Sequence, residues 1–239
     1  MGPSPPAALA FEPPGAAGPL RPGLARLEWR RPEAADAAQL AAWLALLSPG
    51  EQARAARFQA AEDRHAYIAA HALARQMLAS ASGLPAAALR FVAGPAGRPE
   101  PDPALGLAGL RFNLSHARGL VACALALEDD IGVDVEALAR GARVAALADR
   151  FFAPEEAAAL AALPAAARPE AALCLWTLKE AFVKALGVGL PFGLARFALR
   201  HDPPAPLRLP PEAAGDWAFH QARPGPEHVL AVALRRRPR

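Results

Sequence analysis

Two carboxylates alternate along a short apolar stretch, Ile131-Gly132-Val133-Asp134-Val135-Glu136. Alternate side chains of a strand share one face, so a strand here would present Asp134 and Glu136 together and direct both valines into the core. Carboxylate oxygens are the ligands that a hard cation such as Mg²⁺ prefers. An isolated Asp-x-Glu is more often a solvated strand face, so the residues alone leave both explanations open.

A second set of ionisable residues lies in the helical pattern Trp176-Thr177-Leu178-Lys179-Glu180-Ala181-Phe182-Val183-Lys184. Glu180 and Lys184 are four positions apart and share a face with Trp176. An exposed ion pair worth about 0.2–0.5 kcal/mol is one explanation. The apolar neighbours favour a largely buried helix, where charges need a partner or a ligand. The chain has 26 lysines and arginines, and only Lys179 and Lys184 are lysines, which suggests that one local site requires a compact ammonium.

Three further patterns could contact a phosphorylated ligand. The stretch Arg111-Phe112-Asn113-Leu114-Ser115-His116 ends in a serine and a histidine, but a nucleophile-elbow motif is missing, so a serine hydrolase is not indicated. Ser115 and His116 could form a turn before the next apolar run or contact a ligand, and the sequence leaves both explanations open. Gly97-Arg98-Pro99 predicts a turn that presents one cation. Four arginines fall on predicted helices of the first half, where most would be solvated and one or two could meet phosphate: Arg54, Arg57, Arg64 and Arg75.

The two halves of the chain repeat one another at a nearly constant offset. Gly83-Leu84-Pro85 and Gly189-Leu190-Pro191 are 106 positions apart, and each is followed by Arg-Phe at the same spacing. Ser48-Pro49-Gly50-Glu51 precedes Ala153-Pro154-Glu155-Glu156 by 105 positions. A repeated offset of this kind predicts an internal duplication.

Each half is predicted to open with a strand and to continue through helices to short strands. The strands are expected at 26–30 and 131–136, and the first helix begins near Asp36. A capping box at Ser48 and Glu51 starts the next helix. A further helix is predicted to start at Pro154. Two longer helices are predicted over 63–81, ending at Ser82-Gly83, and over 170–186, ending at Gly187. This order predicts an α+β fold of two similar subdomains related by a pseudo-twofold axis, with the active site in the cleft between them.

The carboxylate pair occurs in only one of the two halves. Glu28 and Arg30 occupy the equivalent positions of the first half, so we expect one site rather than two. The predicted domains are a flexible Pro/Ala-rich leader over residues 1–24, an N-terminal subdomain over 25–128 and a C-terminal subdomain over 129–239.

Bulk properties limit the class of protein. No apolar run approaches the roughly 20 residues of a membrane span, and the beginning of the chain lacks a secretory pattern, so we expect a cytoplasmic protein that does not enter a membrane. The net charge of +3 is compatible with a phosphorylated ligand or an acidic partner. Cys123 and Cys174 lie in apolar stretches and are expected to be buried free thiols.

Taken in order, these motifs resemble the 4'-phosphopantetheinyl transferase superfamily. The similarity extends from about Leu47 to Phe197, and length and duplication match the larger, monomeric, two-repeat type that acts on peptide, polyketide and fatty-acid carrier proteins. The matching motifs are Gly-Arg-Pro at 97–99, Phe-Asn-Leu-Ser-His at 112–116, Gly-Val-Asp-Val-Glu at 132–136 and Trp-x-x-Lys-Glu-Ala-x-x-Lys-Ala-x-Gly at 176–187.

The resemblance implies a reaction and a set of roles. The enzyme would transfer the 4'-phosphopantetheine arm of coenzyme A to a serine hydroxyl of an apo acyl, peptidyl or polyketide carrier protein, releasing 3',5'-ADP. The implied ligands of Mg²⁺, or of Mn²⁺ in its place, are Asp134, Glu136 and Glu180. The implied coenzyme A contacts are Arg54, Arg98, Ser115, His116, Lys179 and Lys184. Glu180 and Lys184 would be catalytic, with Glu180 accepting the serine proton directly or through a metal-bound water.

Three other functions stay open on the sequence. An acyl-coenzyme A transferase would bind the same ligand but would need neither metal nor carboxylates. A nucleic-acid-binding protein could use the arginines, although a single tyrosine makes a poor stacking platform and the Arg235-Arg236-Arg237 tail is expected to be a frayed terminus. A non-catalytic relative that only binds carrier proteins would have no reason to retain all three acidic positions.

Overall fold

The computed structural model describes residues 9–94 and 97–237. The fold is α+β, as predicted, and its strands are β1 Ala10–Phe11, β2 Leu24–Arg30, β3 Phe91–Ala93, β4 Pro99–Pro101, β5 Leu110–Ala117, β6 Leu120–Leu127, β7 Asp130–Ala137, β8 Ala198–His201, β9 Pro204–Arg208, β10 Trp217–Ala222 and β11 His228–Arg235. The helices are α1 Ala37–Leu46, α2 Pro49–Ala55, α3 Ala61–Ser82, α4 Gly141–Ala145, α5 Ala148–Phe151, α6 Pro154–Ala161 and α7 Arg168–Leu186.

Local capping chemistry sets the helix limits, and the predicted boundaries are confirmed to within two residues. Asp36 accepts a hydrogen bond from the Gln39 amide at 2.7 Å and starts α1. The Ser48 and Glu51 capping box starts α2. Gly83 and Gly187 end α3 and α7 in the left-handed conformation, with φ of 76° and 72°, which side chains with a Cβ adopt at a cost.

Two sheets lie between two long helices, so the described chain forms four layers. The first sheet has the order β1-β2-β6-β5 and the second the order β10-β11-β7. Their inner faces meet in a core of small and branched residues, including Ala122, Val133 and Val232. The outer faces pack against the buried sides of α3 and α7. Strand alternation and helical periodicity together produce this layering.

The two halves share one strand order. In the first half, the opening strand β2 pairs antiparallel with the last strand β6, which pairs with the strand before it, β5. In the second half, β7 pairs with β11, and β11 with β10, in the same sense. Each half also holds one antiparallel two-stranded ribbon, β3-β4 or β8-β9.

Side chains of one sheet satisfy the backbone of the other where β5 and β7 meet. Asn113 Oδ1 accepts a hydrogen bond from the Val133 amide at 2.9 Å, and Ser115 Oγ accepts one from the Val135 amide at 3.3 Å. Both groups are buried, so they replace ladder partners that the edge strand β7 would otherwise lack. The joint between the halves therefore runs beside the predicted carboxylates.

The described ends of the chain are packed. Residues 1–8 of the predicted leader lie outside the described residues, whereas residues 9–24 carry β1 and hold an ion pair from Glu12 to the buried Arg26. At the other end, the expected frayed tail is wrong as far as residue 237, because Arg235 and Arg237 both bind the carboxylate of Asp130 at 2.6 Å.

Two predictions about the chain as a whole can be compared with the structure. Cys123 and Cys174 are buried free thiols, as predicted. None of the helices within 9–94 and 97–237 combines the length and apolar character that crossing a membrane would require.

Candidate active site

A glycine brings helix α7 into direct contact with strand β7. A Cβ at Gly132 would lie 2.1 Å from the Ala181 carbonyl oxygen and 2.4 Å from the Ala185 amide nitrogen, so no larger residue fits. Asp134 and Glu136 follow on the same face of β7 and therefore also point toward α7. The predicted division of β7 into an apolar and an acidic face is confirmed, but the acidic face is buried rather than solvated.

Asp134 is the centre of a buried polar cluster. Its Oδ1 accepts hydrogen bonds from Lys184 Nζ at 2.7 Å and from Ser115 Oγ at 3.0 Å. Lys184 Nζ also donates to Ser115 Oγ at 3.0 Å and to the Val133 carbonyl oxygen at 3.1 Å. The second carboxylate oxygen of Asp134 is buried and has no hydrogen-bond partner among the residues that the structure describes. A buried anionic oxygen without a donor is costly, so it indicates a place for a cation or a donor from a ligand.

The other two predicted carboxylates lie beside Asp134. Glu136 forms an ion pair with Arg140, and Glu180 has no hydrogen bond or ion pair within the described chain. Burial raises the pKa of Glu180 to about 7, with repulsion from Asp134 as the next cause. Burial and Asp134 also raise the pKa of Glu136 above its ordinary value, against the opposing effect of Arg140. Three carboxylates that repel one another in a partly buried place favour a bound cation.

The chemistry of these side chains fits Mg²⁺, although they do not form a complete coordination sphere among the described residues. Within the described chain, no group of three or more His, Cys, Asp or Glu residues is placed to hold a metal ion. The residues present nevertheless supply hard oxygen ligands, one of them an unpartnered oxygen, and Mg²⁺ commonly completes its octahedron with water and substrate phosphate.

A cleft of about 980 Å³ opens next to this cluster. Ser115 and His116 lie at its wall, together with Arg54, Tyr67 and Phe91. All of its lining residues belong to residues 48–116, so this cleft lies within the first half, and the polar cluster beside it joins Ser115 of the first half to Asp134 and Lys184 of the second. Its size is in the range of cofactor sites, and its mixture of rings and cations suits a phosphorylated aromatic ligand.

Aromatic rings and a buried ion pair form one wall of the cleft. The rings of Tyr67 and His71 pack at 4.1 Å between centroids with their planes tilted by 33°, and the Arg54 guanidinium lies 5.7 Å from the centroid of the Tyr67 ring. Glu51 holds this wall through Arg75, which is fully buried and donates to its carboxylate at 2.6 Å. Burial alone would raise the pKa of Glu51, but hydrogen bonds from His71 and the Ser48 amide, with the charge of Arg75, lower it to about 2.

The structure brings some predicted ligand contacts together and separates others. Arg54, Ser115 and His116 share the cleft, and Ser115 also contacts Lys184. Arg98 does not line this cleft. Its guanidinium donates instead to the carbonyl oxygens of Lys184 at 3.1 Å and Ile131 at 3.5 Å.

The prediction that Lys179 binds phosphate is wrong. Lys179 is fully buried, and its Nζ donates to both oxygens of Glu156 at 2.6 and 2.7 Å and to the Phe197 carbonyl oxygen at 2.7 Å. All three ammonium protons are thus used inside the core. Burial lowers the pKa of Lys179 to about 8, although Glu156 acts in the opposite direction.

Sequence reasoning overlooked two charged residues that pair with predicted site residues. Glu156 is the partner of Lys179 and also accepts hydrogen bonds from the Ala153 and Leu199 amides. Its position in the echo of the Ser48-to-Glu51 capping box was the available signal. Arg140 follows β7 in a turn, where no periodic pattern marks it.

Comparisons with known proteins identify the family of the chain. The model of the 4'-phosphopantetheinyl transferase superfamily matches residues 130–233, and that of the 4'-phosphopantetheinyl transferase N-terminal region matches residues 28–128. The 4'-phosphopantetheinyl transferase HetI of Nostoc sp. is 33% identical over 206 residues, covering 86% of each chain. The 4'-phosphopantetheinyl transferase Sfp of Bacillus subtilis is 29% identical over 70% of this chain and 73% of its own.

A human relative is more distant. The human L-aminoadipate-semialdehyde dehydrogenase-phosphopantetheinyl transferase is 26% identical over 80% of this chain and 67% of its own. Both halves are therefore matched, one by each family model, and the relatives carry the same activity in their names. The chain belongs to the 4'-phosphopantetheinyl transferase superfamily and is an enzyme of its larger type with two domains.

Proposed function

We propose that this enzyme transfers the 4'-phosphopantetheine moiety of coenzyme A to a serine hydroxyl of an apo carrier protein and releases 3',5'-ADP, with Mg²⁺ or Mn²⁺ as cofactor. One observation carries the proposal. The Asp134 cluster, with its unpartnered oxygen and its lysine, lies next to a cleft large enough for a nucleotide. Carboxylates for a metal, an ammonium for phosphate and a nucleotide-sized cleft are the parts that phosphoryl-type transfer requires.

Asp134, Glu136 and Glu180 would hold the divalent cation. Bound there, the cation would neutralise negative charge on the pyrophosphate as the bond to 3',5'-ADP breaks. Lys184 already lies against Asp134 and Ser115 and can transfer its hydrogen bonds to a phosphate oxygen. Asp134 and Ser115 thereby keep the ammonium beside the reacting group.

The cleft within residues 48–116 would hold the nucleotide end of coenzyme A. Arg54 and His116 are exposed at its wall, where a phosphate can reach them, and Tyr67 adds an aromatic ring to the same wall. Arg98 would act through Lys184, because its guanidinium contacts the carbonyl oxygen of that residue. Lys179 is sealed in the core and is not among the proposed ligand contacts.

Glu180 is the residue that we propose as proton acceptor for the carrier serine. It is the one carboxylate of the three without a hydrogen bond or ion pair among the described residues, so an oxygen is available for a serine hydroxyl or a water. A carboxylate whose charge is destabilised by its surroundings is a stronger base than one in water.

The remaining proposals concern organisation and partners. We propose that the two halves, 25–128 and 129–239, arose by duplication, since they share one strand order, and that a pseudo-twofold axis relates them. We also propose that the enzyme works as a cytoplasmic monomer on an acyl, peptidyl or polyketide carrier protein.

The test is intact-mass spectrometry of apo carrier proteins incubated with the enzyme, coenzyme A and Mg²⁺. We expect a gain of about 340 Da, the mass of the transferred group, that requires metal and is lost in Asp134→Ala and Glu180→Ala. Arg57→Ala, which removes an exposed charge from the first half, serves as the control that keeps the gain. A gain that persists in both carboxylate variants, or without metal, would refute the assigned site. Acyl transfer from acyl-coenzyme A with no gain on any carrier would favour the acyltransferase.

A further inference from the structure

Glu136 is neutralised by a cation from its own chain. The guanidinium of Arg140 binds Glu136 Oε1. Arg140 therefore lies against one of the three carboxylates that we propose as metal ligands.

The backbone fixes the start of the Arg140 side chain. Residues Leu138–Arg140 form a tight turn directly after β7, and the Leu138 amide donates to the Glu227 carbonyl oxygen at 2.8 Å. At the other end of the turn, a Cβ at Gly141 would lie 2.7 Å from the Pro169 carbonyl oxygen, so the chain packs tightly against the start of α7. The turn is thus held at both ends, and Arg140 is kept beside Glu136.

The end of the side chain reaches solvent. Arg140 is 47% exposed, whereas Glu136 is 10% exposed, so the guanidinium has solvent on its outer side and the carboxylate does not. Two positive groups cannot share Glu136 closely, because a divalent cation and a guanidinium repel one another strongly where water screens them little. Only the arginine can leave.

We propose that Arg140 is a built-in counter-ion of the metal site, which neutralises Glu136 in the metal-free protein and swings into solvent when a divalent cation binds. This inference rests on the proposed metal site. It makes Arg140 a positioning residue rather than a catalytic one, since it acts through Glu136. Competition from Arg140 then weakens metal binding and keeps the carboxylates from repelling one another before the metal arrives.

The test is a titration of the enzyme with Mn²⁺ in the absence of coenzyme A. Electron paramagnetic resonance of the free ion measures how much Mn²⁺ is bound. Arg140→Gln should bind Mn²⁺ roughly tenfold more tightly than the wild type, which corresponds to about 1.4 kcal/mol. Arg140→Lys keeps the competing charge and should stay within about threefold of the wild type. Arg143→Gln removes an exposed charge from the adjoining helix and should change the affinity by less than about twofold.

Thermal melting provides a second readout. Without metal, Arg140→Gln should melt below the wild type, and saturating Mn²⁺ should raise its melting temperature more than that of the wild type. Mn²⁺ binding by Arg140→Gln that equals or falls below that of the wild type would overturn the inference and leave the metal site standing. A wild type that binds no Mn²⁺ and transfers the group without metal would overturn both.

Discussion

The buried pair of Lys179 and Glu156 offers the sharpest test of the structure, because the family resemblance implied a ligand-binding lysine at this position. Replacing Lys179 with Met removes the ammonium and keeps much of the side-chain volume. The Glu156 carboxylate would keep its backbone donors, the Leu199 amide at 2.7 Å and the Ala153 amide at 2.8 Å, but would lose its counter-charge. The Phe197 carbonyl oxygen would lose the lysine that now donates to it.

The expected loss follows from these contacts. Breaking a buried ion pair by removing one partner costs about 3–5 kcal/mol, because the remaining charge is left without compensation. For a chain of this size, each kcal/mol lowers the melting temperature by roughly 2–4 °C, so Lys179→Met should melt roughly 6–20 °C below the wild type. The double variant Lys179→Met, Glu156→Gln removes both charges and should recover at least about half of the loss.

Urea unfolding and thermal melting of the single and double variants would measure the loss of stability and its recovery. The Arg57→Met variant, at an exposed position, is the control. Coenzyme A affinity of the folded single variant should stay near that of the wild type, because Lys179 is sealed in the core. A Lys179→Met variant of normal stability that no longer binds coenzyme A would refute the reasoning and restore the phosphate-binding role.

Three further predictions test other parts of the structure. Gly132→Ala should destabilise the protein by about 3 kcal/mol or more in urea unfolding, because the backbone of α7 occupies the space of the new methyl group. Glu51→Gln should cost about 2 kcal/mol at pH 7, and the difference from the wild type should fade as pH falls from about 4.5 to about 2. A carboxylate with a lowered pKa stabilises the fold fully above its unfolded-state pKa and loses that effect as pH falls toward its folded-state pKa. Arg54→Ala and His116→Ala should each weaken coenzyme A binding about tenfold in calorimetry.

Each of these predictions has a result that contradicts it. Wild-type stability of Gly132→Ala would mean that α7 does not lie against β7 as closely as described. A loss in Glu51→Gln that is the same at pH 2 and pH 7 would show that its charge is not what stabilises the fold. Normal coenzyme A affinity in both cleft variants, beside an Arg57→Ala control, would remove the cleft from the proposed binding site.

Local signals in the sequence predicted local structure well. Asp36, the Ser48 and Glu51 box and Gly187 act within a turn of their own helix, so their effect depends on few distant residues. The alternation at 131–136 likewise predicted which side chains of β7 share a face. These features are decided by the backbone near each residue.

Contacts between distant elements were harder to predict from the sequence. That Ser115 would meet Asp134 and Lys184 depends on the register of two sheets and a helix, which periodicity does not supply. The error over Lys179, in contrast, was avoidable. At about 100° per residue, five positions place Lys179 and Lys184 about 140° apart around α7, so one site cannot use both. The composition suggested that the two lysines serve one site, but helical geometry places them on different sides of α7.

The joint between β5 and β7 determines what would happen if the chain were cut between its two halves. Ser115 comes from the first half, and Asp134 and Lys184 come from the second, yet their polar atoms lie within 3.0 Å of one another. Only the connection Glu128-Asp129 joins the last strand of the first half to β7. A chain cut there would yield two fragments that each hold part of the polar cluster, so activity would report directly on their reassembly.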